Sequence, residues 1–228
     1  METTAQMSDP ASSQDRPQPR PAPAPLRGGP IAFLRFAAAN GMLNLGYARL
    51  VARWAWLKLR WRGRLRGDGL FFVCPNVTFE IGREAVVELG RWSWIGDGCK
   101  IRAHEGTVII GDRTVLGQEC TISAFQHVSI GSQCILADRV MLIDFDHTTN
   151  DVERPIRDQG IYKRDLRVGS NVWIGYGACL LRGVTVGDNS IIGSLAVVTR
   201  EVEENSVVGG SPARVLRLRE QPETLRWR

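Results

Sequence analysis

The chain has 228 residues, of which 43% are hydrophobic but only 7% aromatic, so its core must be aliphatic and assembled from small units. Its net charge of +5 is unevenly placed: residues 16–67 carry eleven Lys/Arg and no acid, whereas residues 68–228 carry eighteen Lys/Arg against twenty-one Asp/Glu, which excludes a nucleic-acid surface running over the whole molecule. No apolar run approaches the roughly 20 residues of a membrane span, and five Cys without paired C-x-x-C spacing argue against a disulfide framework or a zinc site.

Residues 1–29 are Pro-rich and polar and lack the apolar centre of a secretory signal; they read as a disordered tail. Residues 30–67 form a basic amphipathic segment. Leu43, Tyr47, Leu50, Val51, Trp54, Leu57 and Trp61 fall at helical spacing on one face, with Arg49, Arg53 and Arg60 on another. From Leu57 the stretch LKLRWR also alternates with period two, so a strand can follow the helix. The segment is either a cap for the domain that follows or an anchor lying on an anionic membrane surface, and it can serve as both. The whole describes a cytoplasmic protein, free or peripheral on the inner membrane face.

From residue 68 to about 210 an aliphatic residue returns every six positions, usually followed by a small one. The series runs Leu89-Gly90, Ile95-Gly96, Ile101, Ile110-Gly111, Leu116-Gly117, Ile122-Ser123, Ile130-Gly131, Leu136-Ala137 and Leu142. It resumes at Val168-Gly169, Ile174-Gly175, Leu180, Val186-Gly187, Ile192-Gly193 and Val198. Four residues after an aliphatic comes a small or β-branched residue, among them Cys99, Thr114, Cys120, Cys134, Val172 and Ala178. Six residues make a short strand and a tight corner, and three such units close a triangular coil. The aliphatics stack inward, the corners accept only small side chains, and Gly provides either positive φ or room for close backbone approach.

The beat fails once. Counting from Ile130, His147 is position eighteen, at a corner, and residues 148–167 loop out before the repeat resumes. A polar loop of that length in a repeat domain is characteristically either functional or disordered. Counting from Ile110, His127 is also position eighteen, which places it one coil from His147 on the same edge. His104 lies two positions off that edge and reads as a surface residue. Residues 211–228 leave the coils through Pro212 as a tail or short helix.

These motifs resemble the hexapeptide-repeat, left-handed parallel β-helix O-acetyltransferases, including the galactoside, maltose and colanic-acid-type sugar acetyltransferases. The stretch VGSNVWIGYGACLLRGVTVGDNSIIGSLAVVTREV, followed by GGSPARVLR, carries the resemblance, which covers about residues 70–218. It implies an acyl-CoA-dependent O-acyltransferase that moves acetyl from acetyl-CoA to a hydroxyl of a sugar or glycoconjugate, without a metal. His147 would be the general base, since imidazole can take a hydroxyl proton near neutral pH.

The resemblance implicates Tyr176, Ser194, Leu195, Thr199, Arg200 and Arg214 in binding the donor, with the two guanidinium groups facing phosphates. GSL stands where the family has Gly-Ala-Gly. On the acceptor side Ser123 replaces an Asn, and Asp144-Phe145-Asp146-His147 stands where some relatives read D-H-D-H. His127 either helps bind the acceptor or stacks structurally, and Asp146 either orients His147 or faces water. These departures leave the acceptor open. The resemblance further implies a homotrimer with each site between two subunits, and no nucleic acid. Two other classes remain: a metal-dependent hydratase resembling the γ-type carbonic anhydrases, which needs three converging His, and a non-catalytic coil used as a scaffold.

Overall fold

A computed structural model describes residue 35 and residues 37–219. The tail at 1–29, and any helix in residues 220–228, lie outside the described residues. Residues 37–39 are helical, Asn40 and Gly41 form a turn, and residues 42–44 are irregular. There Gly41, at φ +65°, donates its N–H to the Ala38 carbonyl and Met42 donates to Ala37. Among its described residues the basic amphipathic segment is therefore helical in two pieces, because Gly41 takes a left-handed conformation that ends the first.

The second piece, α1 (Leu45–Arg60), lies over the first coil. Leu57 is buried, and Trp54 and Trp61 pack on the core beside it. Tyr47 meets Phe72 edge-on at 5.6 Å and Trp54 meets Phe71 at 6.4 Å. The Trp54 indole N–H donates to the Gly69 carbonyl at 3.0 Å, and the Lys58 ammonium to Gly67 at 3.0 Å. Of the apolar face read from the sequence, Tyr47, Trp54, Leu57 and Trp61 thus cap the coil, which needs such a cover because its first strands are otherwise an open edge, while Leu43 and Val51 are exposed. The helix runs on to Arg60, most of the way through the alternating LKLRWR stretch, a turn follows, and the strand begins later, at Leu65–Arg66.

From there the chain winds a left-handed parallel β-helix of about six coils. Three parallel sheets form its faces, and each coil visits them in turn. Face one runs from Leu65–Arg66 through Val86–Leu89, Thr107–Ile110, His127–Ile130 and Leu166–Val168 to Thr185–Val186. Face two runs from Phe72–Val73 through Trp94–Ile95, Val115–Leu116, Ile135–Leu136 and Trp173–Ile174 to Ile191–Ile192 and Ser206–Gly209. Face three runs from Thr78–Ile81 through Lys100–Ala103, Thr121–Ala124, Met141–Ile143 and Cys179–Leu180 to Val197–Val198.

Register locks the six-residue period into columns. Leu89, Ile110, Ile130, Val168 and Val186 stack on face one, each buried and each the direct partner of the next. Burying each such side chain contributes ~1.5–3 kcal/mol. At the corners, Cys99, Cys120 and Cys134 are buried, as the period required. Thr114 Oγ1 donates to the Gly131 carbonyl at 2.7 Å and Cys120 Sγ to Ala137 at 3.1 Å, so small polar side chains satisfy backbone of the next coil. Burial pushes the Cys134 thiol up from its ordinary value, which keeps it protonated and inert.

The end of the domain differs from expectation. Arg214–Leu218 is a strand, not a helix, and it pairs antiparallel with Ser206–Gly209. An open final coil leaves unpaired backbone groups, and the returning chain satisfies them.

A candidate active site on an excursion from the fourth coil

The excursion begins three residues earlier than the period suggested. Phe145–His147 already pairs antiparallel with Ile161–Lys163, a hairpin standing out from the corner between faces three and one. The corner itself belongs to Asp144, which is fully buried. Its carboxylate accepts the N–H groups of Phe125, Gln126 and His127 at 2.8, 2.7 and 2.7 Å, tying the corner of the third coil to the neck of the hairpin. The Arg164 N–H closes the neck on the Asp144 carbonyl at 2.8 Å. At the tip, the Gln159 amide, just past the short 3-10 turn Ile156–Asp158, donates back to the carbonyls of Asp151 and Arg154 ahead of it.

His147 therefore sits on the hairpin, exposed, and not at a coil corner. Among the described residues no hydrogen bond or ion pair reaches its imidazole. It is also not stacked one coil below His127. Val128 pairs with Leu166, so the neighbour of His127 in the next coil is Asp165. The phase argument failed because the excursion removes residues 145–163 from the count. His127 begins a face-one strand beside Thr107, half-buried, held by its backbone bond to Asp144.

Strand alternation gives the hairpin two faces. Phe145 and His147 share one with their partners Lys163 and Ile161; Asp146 and Tyr162 share the other. On the second face Arg182, from the following coil, bonds Asp146 at 2.5 Å and lies 5.7 Å over the Tyr162 ring, and Asn150 donates to the Tyr162 hydroxyl at 2.7 Å. Asp146 neither orients His147 nor simply faces water: it points away from the imidazole and pairs with Arg182.

The first face rests on residues the period did not pick out. Ala103 pairs with Ala124, and Ile143 with Ser123, so His104, Phe125 and Phe145 occupy one position in three successive coils. His104 stacks on Phe125 at 4.3 Å and Phe125 meets Phe145 at 4.6 Å. The His104 Nε2 lies 3.1 Å from the buried Ser123 Oγ. Lys163 pairs with Glu105 and lies 5.3 Å over the Phe125 ring. His104, expected as a bystander, is thus joined to Ser123 beneath the hairpin. Counting three residues on from Ile101, Ile122 and Leu142, instead of eighteen from face one, gives this column.

The expected donor residues divide between two corners. Tyr176 and Leu195 stack at the corner between faces two and three, where the Leu195 N–H donates to the Tyr176 carbonyl at 2.8 Å and Leu195 is 66% exposed at φ +59°. The Tyr176 hydroxyl accepts from Arg139 at 3.0 Å, and Arg139 in turn pairs with Glu119. Ser194 is exposed beside them. Thr199 and Arg200 leave the last face-three strand at the hairpin's own corner, and Arg214 opens the final strand; all three are exposed or half-exposed rim positions. Neither Arg200 nor Arg214 pairs with a carboxylate among the described residues, leaving both guanidinium groups open to a phosphate. Within the single chain Tyr176, Ser194 and Leu195 thus lie at a different corner from the hairpin that carries His147. Among the described residues, no group of three or more His, Cys, Asp or Glu is placed to hold a metal ion.

Comparison with known proteins follows the same lines. Residues 165–200 match the family described as "Bacterial transferase hexapeptide (six repeats)", and residues 107–137 match "Hexapeptide repeat of succinyl-transferase". A probable acetyltransferase of Mycobacterium tuberculosis is 36% identical over 83% of this chain and 63% of its own length. The galactoside O-acetyltransferase of Escherichia coli K12 is 31% identical over 59% of this chain and 65% of its own. The solved structure of a galactoside acetyltransferase in complex with coenzyme A superposes with a TM-score of 0.53 at 30% identity, covering 58% of this chain and 64% of that one. The chain thus spans a little under two thirds of the length of these curated relatives. The repeat, the coil and these likenesses agree: the chain carries the hexapeptide repeat on a left-handed β-helix and is similar to the galactoside-type acetyltransferases.

Proposed function

We propose that the protein is an acyl-CoA-dependent O-acyltransferase that moves an acetyl group to a hydroxyl of a sugar or glycoconjugate, with His147 as general base. The observation that carries this reading is an exposed imidazole with no structural partner, held on a hairpin that the coil anchors through the three backbone bonds to Asp144. Relatives named as acetyltransferases, and one solved with coenzyme A, support the donor.

The acyl-CoA supplies a thioester carbonyl open to attack. His147 takes the acceptor hydroxyl proton as that oxygen forms the new ester bond, and returns it to the sulfur as the carbon–sulfur bond breaks. Arg200 and Arg214 pair with donor phosphates, and Tyr176, Ser194, Leu195 and Thr199 line the path of the arm. Ser123, through His104, and His127 form the acceptor side beneath the hairpin. Because the donor residues occupy two corners separated by face three, the complete site forms between two subunits of a homotrimer.

Thiol release from acetyl-CoA, read across a panel of sugars and glycoconjugates, tests the reaction. His147→Ala should lower turnover by ~10²–10⁴-fold. It should keep the thermal stabilisation by acetyl-CoA, which at a hundred times Kd amounts to ~2.7 kcal/mol. Unchanged turnover in the variant would remove His147 from the mechanism; no stabilisation of either protein would remove the donor assignment.

A further inference from the structure

α1 uses one face to cap the first coil, and the face it turns away is apolar as well. Leu45, Trp56 and Leu59 are 68%, 55% and 71% exposed, and Ala48 and Ala52 are exposed between them. At about 100° per residue these five side chains fall within a sector of about 80°, opposite the sector of Tyr47, Trp54, Leu57 and Trp61. The coil explains the inner stripe and gives no reason for the outer one. A helix whose only task was to cap would carry polar residues there.

The flanks of the outer stripe are basic. Arg49, Arg60 and Arg62 are exposed and none pairs with a carboxylate among the described residues. Other cations of the segment are taken up by the fold: Lys58 bonds the Gly67 carbonyl, Arg64 bonds Ile81, and Arg66 pairs with Glu88. No Asp or Glu occurs between residues 16 and 67. Among the described residues no helix is long and apolar enough to cross a membrane.

We propose that the outward face of α1 docks on an anionic lipid bilayer, with Trp56, Leu59 and Leu45 entering the headgroup boundary and Arg49, Arg60 and Arg62 meeting lipid phosphates. A Trp and two Leu set between arginines match such an interface in both charge and polarity, with long basic side chains reaching out to the phosphates. The helix lies in the plane of the surface and carries the coil on its inner side.

The test uses the full chain and co-sedimentation with phosphatidylcholine vesicles, with and without phosphatidylserine, at low and high salt. The expected result is binding to the anionic vesicles at low salt and none to the neutral ones. Arg49→Gln/Arg60→Gln/Arg62→Gln should weaken binding by roughly fivefold per charge removed. Trp56→Ser/Leu59→Ser should weaken it by about tenfold or more at unchanged salt dependence. All five positions are exposed, so thermal midpoints should stay at the wild-type value, which shows that each variant is folded. Failure of the wild type to sediment with anionic vesicles would overturn the proposal, as would wild-type binding by both variants. A fall in oligomer mass for Trp56→Ser/Leu59→Ser with vesicle binding intact would instead assign the stripe to a second copy of the chain.

Discussion

At the scale of single residues, two kinds of strain sit side by side at the corners, and the sequence blurs them. The Gly after each inward aliphatic suggested either positive φ or close approach, and the structure decides for close approach. A Cβ on Gly96 would come 2.2 Å from the Gly117 carbonyl oxygen of the next coil, and Gly96 is not in the left-handed region. The left-handed conformations fall instead two residues further on, on side-chain-bearing residues such as Arg113 at φ +58°, Gln133 at +61° and Asn171 at +56°, and on Gly98 and Gly177. Gly96→Ala should therefore cost ~3 kcal/mol or more, because backbone on both sides must move. Arg113→Gly should stay within about 1 kcal/mol of wild type, since relief of ~1–2 kcal/mol in the left-handed region offsets the backbone entropy glycine loses. Urea unfolding of the two variants checks the order; equal losses would mean the coils can separate at a corner without penalty.

At the scale of elements, the hairpin shows what a period can and cannot reveal. The aliphatic beat located the coils, the buried corner Cys and the break, because every coil meets the same packing constraint. It misplaced His147 and His127 relative to each other, because once the chain leaves the coil, residue counting no longer measures height along the axis. It passed over His104 because that residue's partners, Ser123 and Phe125, become neighbours only through register between coils. The neck of the hairpin hangs on one buried carboxylate. Asp144→Ala would orphan three backbone N–H groups at once and should cost ~2–4 kcal/mol, with turnover falling as the hairpin loosens. Asp144→Asn keeps an acceptor oxygen and should lose about half as much. Equal losses for the two, by chemical denaturation, would show that the space filled by the side chain matters and its hydrogen bonds do not. On the opposite face, Arg182→Ala removes the partner of Asp146 and should reduce turnover by less than His147→Ala does, with stability changed by under ~1 kcal/mol, since the pair is partly exposed.

At the scale of the whole molecule, the three faces of the coil are chemically unequal. The residue before each inward aliphatic points outward. On face one these are mostly polar, Glu88, Ser129, Arg167 and Thr185 among them. On face two the outward column reads Trp94, Val115, Ile135, Trp173, Ile191 and Val207, apolar in every coil and in direct register from one to the next. Val115, Ile135 and Trp173 are 38%, 56% and 52% exposed in the single chain. A continuous apolar stripe of that length is seldom left to water, and it supports the self-association proposed for the site. The column is present in the sequence as one apolar residue ahead of every second aliphatic in three; what hid it is that a stacked outer face and a buried inner one look alike until the faces are separated. Ile135→Glu/Trp173→Glu places two charges on the stripe without touching the inner columns, so the coil should still fold. Light scattering behind size exclusion should show the wild type as three chains of 25.3 kDa and the variant as one. Turnover should fall with the mass, because donor contacts at the corner of Tyr176 and Leu195 would then lack the neighbouring subunit that brings them to a base. A variant that becomes monomeric yet keeps full turnover would show that each coil carries a complete site, and a wild type that is already monomeric would leave the face-two stripe without the partner assigned to it.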